Sequence, residues 1–210
     1  MPYPLPRLRV VAAALTVLAL PACAGTYTGP VEVTRFLAED PAGLGSGTIA
    51  TIVDPTTPEN LRTSLYRDAV AAQLGELGYQ PAGGDATDQV ATVRIERSQI
   101  DGAGRRSPVT VGGSAGTGSF GSGVGLGIGI NLGGGGNGPR EVTQLSVRIS
   151  SRSSGATLWE GRAELATSLD SPYAPAAANA NALAAALFKD FPGGNGETVT
   201  IAVDELEGTQ

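Results

Sequence analysis

Apolar and polar positions alternate most clearly in three segments of the middle and late chain. Residues 89–100 set Ala91, Val93 and Ile95 against Val90, Thr92, Arg94 and Glu96; residues 141–150 carry Val142, Leu145, Val147 and Ile149; residues 158–166 form the third. A period of two is the mark of a half-buried strand. With the turn Ser153-Ser154-Gly155 between the last two, the three segments predict an antiparallel meander. Shorter alternations at residues 31–36, 47–53 and 198–203 predict three further strands.

The period changes after Val53. Leu61, Leu65, Tyr66, Ala69, Val70, Leu74 and Leu77 recur at helical spacing, with Thr57 as expected N-cap, Pro58 at the first helical position, Glu59 near the positive end of the dipole and Gly78 as the stop. Such a stripe reads as core packing against a sheet. Ser171-Pro172 opens an alanine-rich stretch in which Leu183, Leu187 and Phe188 mark the buried side of a second helix ending near Asp190. Strands and helices in blocks predict an α+β fold, a two-layer sandwich with two helices on one face of a mostly antiparallel sheet.

Residues 112–138 interrupt that plan. Within them, residues 121–132 read Gly-Ser-Gly-Val-Gly-Leu-Gly-Ile-Gly-Ile-Asn-Leu. Extended, this segment has one nearly bare face and one face of Val124, Leu126, Ile128, Ile130 and Leu132, so it is expected to be a glycine-rich hairpin insertion. Glycine weakens a strand and is used where another backbone approaches closely. Three uses stay open: a self-packed extension, a protein-contact surface, and membrane insertion within an oligomeric barrel, which alone would leave no open edge in lipid. Gly116, Gly118 and Gly121 match a dinucleotide-loop pattern, but glycine alternation follows where a helix is required. Gly112-Gly113-Ser114-Ala115-Gly116 matches a nucleophile elbow, which needs a histidine that the chain does not contain.

The N-terminus has the parts of an export signal: Arg7 and Arg9, an apolar run from Val10 to Leu20, and small residues beside a cut site. It is shorter than the roughly 20 apolar residues of a membrane span. Leu20-Pro21-Ala22-Cys23 resembles a bacterial lipobox, which makes Cys23 the acylated first residue of the mature chain, carrying palmitate-type acyl groups. Cys23 is the only cysteine, and lipidation accounts for it without a partner. Pro21 stands where such boxes usually carry a small residue, and Ala22-Cys23-Ala24 also suits ordinary signal peptidase, which would release a soluble chain starting at Gly25. The expected organisation is a signal peptide at 1–22, a lipidated linker at 23–30 and one domain over 31–210. Ala24 is not an aspartate, which by the enteric sorting rule favours the outer membrane, with the domain in the periplasm.

Charge and composition remove several function classes. Cleavage takes Arg7 and Arg9 and moves the formal charge from −6 to −8, the wrong sign for nucleic acid or for a polybasic grip on anionic lipid. With no histidine, Ser-His-Asp and Cys-His nucleophiles and most transition-metal sites are excluded. No catalytic, cofactor or metal site is expected.

Several segments taken together resemble the bacterial lipoprotein family known as domain of unknown function 4136. They are Val33-Thr34-Arg35-Phe36, Tyr66-Arg67-Asp68-Ala69-Val70, Leu77-Gly78-Tyr79, Ala91-Thr92-Val93-Arg94-Ile95, the Gly-Val-Gly-Leu-Gly-Ile-Gly tract, Leu158-Trp159-Glu160-Gly161-Arg162-Ala163, Ala186-Leu187-Phe188, Phe191-Pro192-Gly193 and Gly196-Glu197-Thr198. The resemblance implies an envelope location and a small α+β domain, and no activity or catalytic residue. Trp159 is expected to pack in the core with its N–H on a carbonyl. Glu160 and Arg162 share a strand face and are expected to pair with each other or across strands. The expected function is a non-enzymatic lipoprotein, held to the membrane by its lipid anchor and contacting an envelope protein partner or a second copy. A small-molecule or lipid-binding module is the alternative, and a hydrolase using two carboxylates ranks behind it.

Overall fold

The computed structural model describes residues 26–83, 86–100, 106–108 and 138–207. Cys23, the signal segment and residues 112–137 of the glycine-rich excursion lie outside the described residues. Among the described residues eight strands form one sheet: β1 (Thr28–Leu37), β2 (Thr48–Val53), β3 (Gln80–Pro81), β4 (Gln89–Ile100), β5 (Arg106–Pro108), β6 (Arg140–Ser151), β7 (Thr157–Ser168) and β8 (Thr198–Ile201). Their order is β3-β2-β4-β6-β7-β1-β8, with β5 paired to the far end of β4. Only β2 runs parallel to its neighbours β3 and β4; every other pairing is antiparallel. The predicted meander is the β4-β6-β7 centre of this sheet.

Strand alternation places Val31, Val33, Ala91, Val93, Leu145, Val147, Ile149, Trp159, Ala163 and Leu165 on one face, all essentially inaccessible. Helices α1 (Leu61–Glu76) and α2 (Ala176–Phe188) lie on that face. They pack against each other, α1 also on β2 and β4 and α2 on β7 and β1. The fold is therefore α+β with both helices in one layer. Burying side chains such as Leu74, Leu183 and Leu187 contributes about 1.5–3 kcal/mol each.

Element ends differ from expectation for local reasons. The N-cap of α1 is Asn60, not Thr57: its side-chain oxygen accepts from the Arg62 and Thr63 N–H groups, and the Thr63 hydroxyl accepts from the Asn60 N–H in return. Thr57 closes a turn back to the Asp54 carbonyl instead. Leu61, placed on the buried stripe by periodicity, is 83% exposed. Ser171 opens a turn rather than a helix, its hydroxyl accepting from Tyr173 N–H, and α2 begins five residues later behind Pro175. Within α2 the alanines matter as much as the larger residues. Ala180, Ala182, Ala184 and Ala186 are all buried, so the helix sits close to its neighbours on more than one side. β8 stops at Ile201, and a short α3 (Asp204–Glu207) follows in place of the last expected strand residues.

Candidate functional site

Three groups of polar residues are positioned by this fold. The first lies where α2 ends. Arg35, on the helix-facing side of β1, donates from Nε to the Leu187 carbonyl at 3.0 Å and from a terminal nitrogen to the Ala186 and Lys189 carbonyls at 3.0 and 2.8 Å. These are carbonyls of the kind that a helix end leaves without intrahelical partners. Burial lowers the affinity of this guanidinium for its proton, while Asp190 and Glu197 oppose that shift. Trp159 is fully buried, stacked on Phe188 at 5.4 Å and tilted against Phe191 at 5.3 Å. Its Nε1 donates to the Pro192 carbonyl at 2.9 Å, as expected from the sequence. A Cβ on Gly161 would come within 2.7 Å of the Trp159 ring and 2.8 Å of Leu187, and one on Gly193, which has φ +80°, would meet the Arg35 side chain at 2.6 Å. The segments Val-Thr-Arg-Phe, Trp-Glu-Gly, Ala-Leu-Phe and Phe-Pro-Gly therefore converge on one packed joint.

The second group lies at the opposite end of the helix layer. Tyr66 donates to Asn179 Oδ1 at 3.0 Å, and Asn179 Nδ2 donates to the Tyr173 carbonyl at 3.2 Å, joining the first turns of α1 and α2. Burial pushes the Tyr66 hydroxyl pKa up, against the opposing influence of Arg97, a hydrogen bond with Thr143 and Arg62. Arg97 and Glu141 form an ion pair beside it, with side chains 11% and 14% exposed.

The third group is the sheet face that carries no helix. Register places Thr200, Glu32, Glu164, Gln144 and Glu96 in one cross-strand row, and Thr198, Thr34, Arg162, Ser146 and Arg94 in the next. Glu160 pairs with Arg148 directly opposite on β6 and not with Arg162 two residues on. Glu32 and Glu164 face each other across β1 and β7, and Glu32 Oε2 is buried without a hydrogen-bond partner among the described residues. An acidic row beside a basic one makes this face a charged polar surface, with Arg94 paired to Glu96 along β4.

Among the described residues, no group of three or more acidic, cysteine or histidine side chains is placed to hold a metal ion. None of their helices is long and apolar enough to cross a membrane. The expected lipidation residue, Cys23, precedes the first described residue, Thr26. Sequence reasoning quoted Arg35 within a motif without giving it a role, because its three acceptors lie about 150 positions away. Its place in line with Val31 and Val33 on the strand's apolar face is the signal that could have found it, since a charge there needs partners.

A family described as Domain of unknown function (DUF4136) matches residues 37–193. No curated protein matches the chain. Among solved structures, a PDZ domain protein from Parabacteroides distasonis aligns at 12% identity and a TM-score of 0.48, covering 83% of this chain and 38% of that one. The PelC dodecamer from Paraburkholderia phytofirmans aligns at 12% identity and a TM-score of 0.38, covering 75% of this chain and 94% of that one.

Proposed function

The chain belongs to the DUF4136 family, and on that premise we propose a non-enzymatic lipoprotein, anchored to the outer membrane through Cys23, whose periplasmic domain is an adaptor or structural component of an envelope assembly. The observation that carries this reading is Leu20-Pro21-Ala22-Cys23, ending three residues before the chain enters the domain at Thr26. Acyl chains on that cysteine hold the protein at the bilayer, more than one being needed for a stable anchor.

Support for an adaptor comes from where the polar side chains are used. Arg35, Trp159, Tyr66 and Asn179 all act within the fold, capping a helix or joining two elements. We assign the partner contact to the glycine-rich excursion, residues 112–138, which lies in the sequence between β5 and β6. Its glycine alternation allows another backbone to approach closely.

One preparation tests both parts: the protein purified from cell membranes with its native signal, with intact mass and co-purifying proteins read together. The expected result is a chain beginning at acylated Cys23, with a partner that is lost when residues 113–136 are deleted. A chain beginning at Gly25 overturns the anchor. Unchanged recovery of the partner after the deletion overturns the contact.

A further inference from the structure

The chain enters the domain at one defined end. The Thr26 hydroxyl donates to Asp170 Oδ2 at 3.1 Å, and the Tyr27 N–H donates to Ser168 Oγ at 2.8 Å. The Tyr27 carbonyl accepts from the Ser168 N–H at 2.9 Å, and the hydroxyls of Thr28 and Ser171 meet at 2.7 Å. These partners close β7 and lead into α2, so the entry point is pinned at the end of the sheet where α2 begins. Cys23 lies three residues before Thr26, and three fully extended residues reach at most about 11 Å. A bilayer holding acyl chains on Cys23 is therefore within that distance of this end of the domain.

The surface at this end suits such a neighbour. Of the four exposed large apolar residues among the described ones, two stand here, Leu61 at 83% and Leu169 at 67% exposed, one opening α1 and the other following β7. Exposed prolines Pro55, Pro58, Pro172 and Pro175 occupy the same connections. Exposed acids stand at both ends, Glu59 and Asp170 beside these leucines and Glu39, Asp40, Glu76, Asp88 and Asp190 beyond the other termini of the strands, so the leucines and not the charge distinguish this end.

Building on the anchored reading above, we propose that this end of the domain lies against the lipid headgroups, with Leu61 and Leu169 in the interfacial layer. Two leucines alone do not hold a protein on a membrane. The short tether keeps them at high effective concentration next to it, so the contact forms only in the acylated protein.

The test uses the lipidated full chain with a nitroxide on Leu61→Cys, on Leu169→Cys or, at the far end, on Ser153→Cys, in vesicles of phosphatidylethanolamine and phosphatidylglycerol. An acylated Cys23 has no free thiol to take the label. The expected result is several-fold lower collision with a water-soluble nickel chelate at positions 61 and 169 than at 153, with greater access to oxygen. Equal accessibility at all three positions, in a preparation whose mass carries the acyl groups, overturns the docking and leaves the anchor standing. A preparation without acyl groups overturns the anchored reading, and this inference with it.

Discussion

Where α2 ends, three aromatic rings, two glycines and an arginine close on one another; where α2 begins, Pro175 caps it without a side-chain acceptor and Tyr66 and Asn179 hold it to α1. One end of the same helix is thus fixed by a buried cation that satisfies three carbonyls, the other by a single side-chain pair under exposed loops. Tight packing and charge-assisted hydrogen bonds concentrate stability at the first end. The second end is left free to present surface, and the chain enters the domain there.

The comparison predicts unequal consequences for equally small changes. Gly161→Ala puts a methyl group where the Trp159 ring and Leu187 already stand, at the β7 position directly across from Arg35 on the helix-facing side. Overpacking at so enclosed a point is expected to cost about 3 kcal/mol, read as a lowered denaturant midpoint. Arg35→Met keeps the apolar stem and removes the donors to Ala186, Leu187 and Lys189. A loss of about 2 kcal/mol is expected, together with faster amide exchange in the last turn of α2 and not in the first.

The smallest effect is expected at the other end. Tyr66→Phe removes the bond to Asn179 and is expected to cost about 1 kcal/mol. It also changes the response to alkali. Burial raises the Tyr66 pKa in the native state, so the folded protein holds that proton more tightly than the unfolded chain does. The resulting stability is complete below the unfolded pKa of about 10 and is lost as pH rises through the native value. Denaturation curves of the variant should therefore fall less steeply above about pH 10. Tyr79, whose pKa burial also raises, retains part of the slope. An unchanged alkaline limb would remove Tyr66 from that account.

Much of the fold, though not this contrast, was legible in the sequence. The alternation in residues 89–100 matches β4 at both ends, and the turn at Ser153-Ser154-Gly155 joins β6 to β7, with Gly155 at φ +71°. Trp159 carries the role expected of it, down to its N–H on a carbonyl. Misplaced features were those decided by competition among local partners. Thr57 and Asn60 both suit an N-cap, and Asn60 won because Thr63 completes a reciprocal pair of hydrogen bonds. The cross-strand pairing expected as one partner for Glu160, by contrast, is the one observed, with Arg148 directly opposite on β6.

By itself the sequence determined the six longer strands, the two longer helices and most of the residues they bury, because period two and period 3.6 are written in neighbouring residues and backbone geometry translates each into a face. It also set the spacing between Cys23 and the domain, which no packing can lengthen. Only the tertiary structure decided that β2 runs parallel beside β4, that Arg35 reaches the end of a helix about 150 residues later, and that Gly161 leaves room for the Trp159 ring. Those facts depend on register and on contacts between distant segments, which no local period encodes.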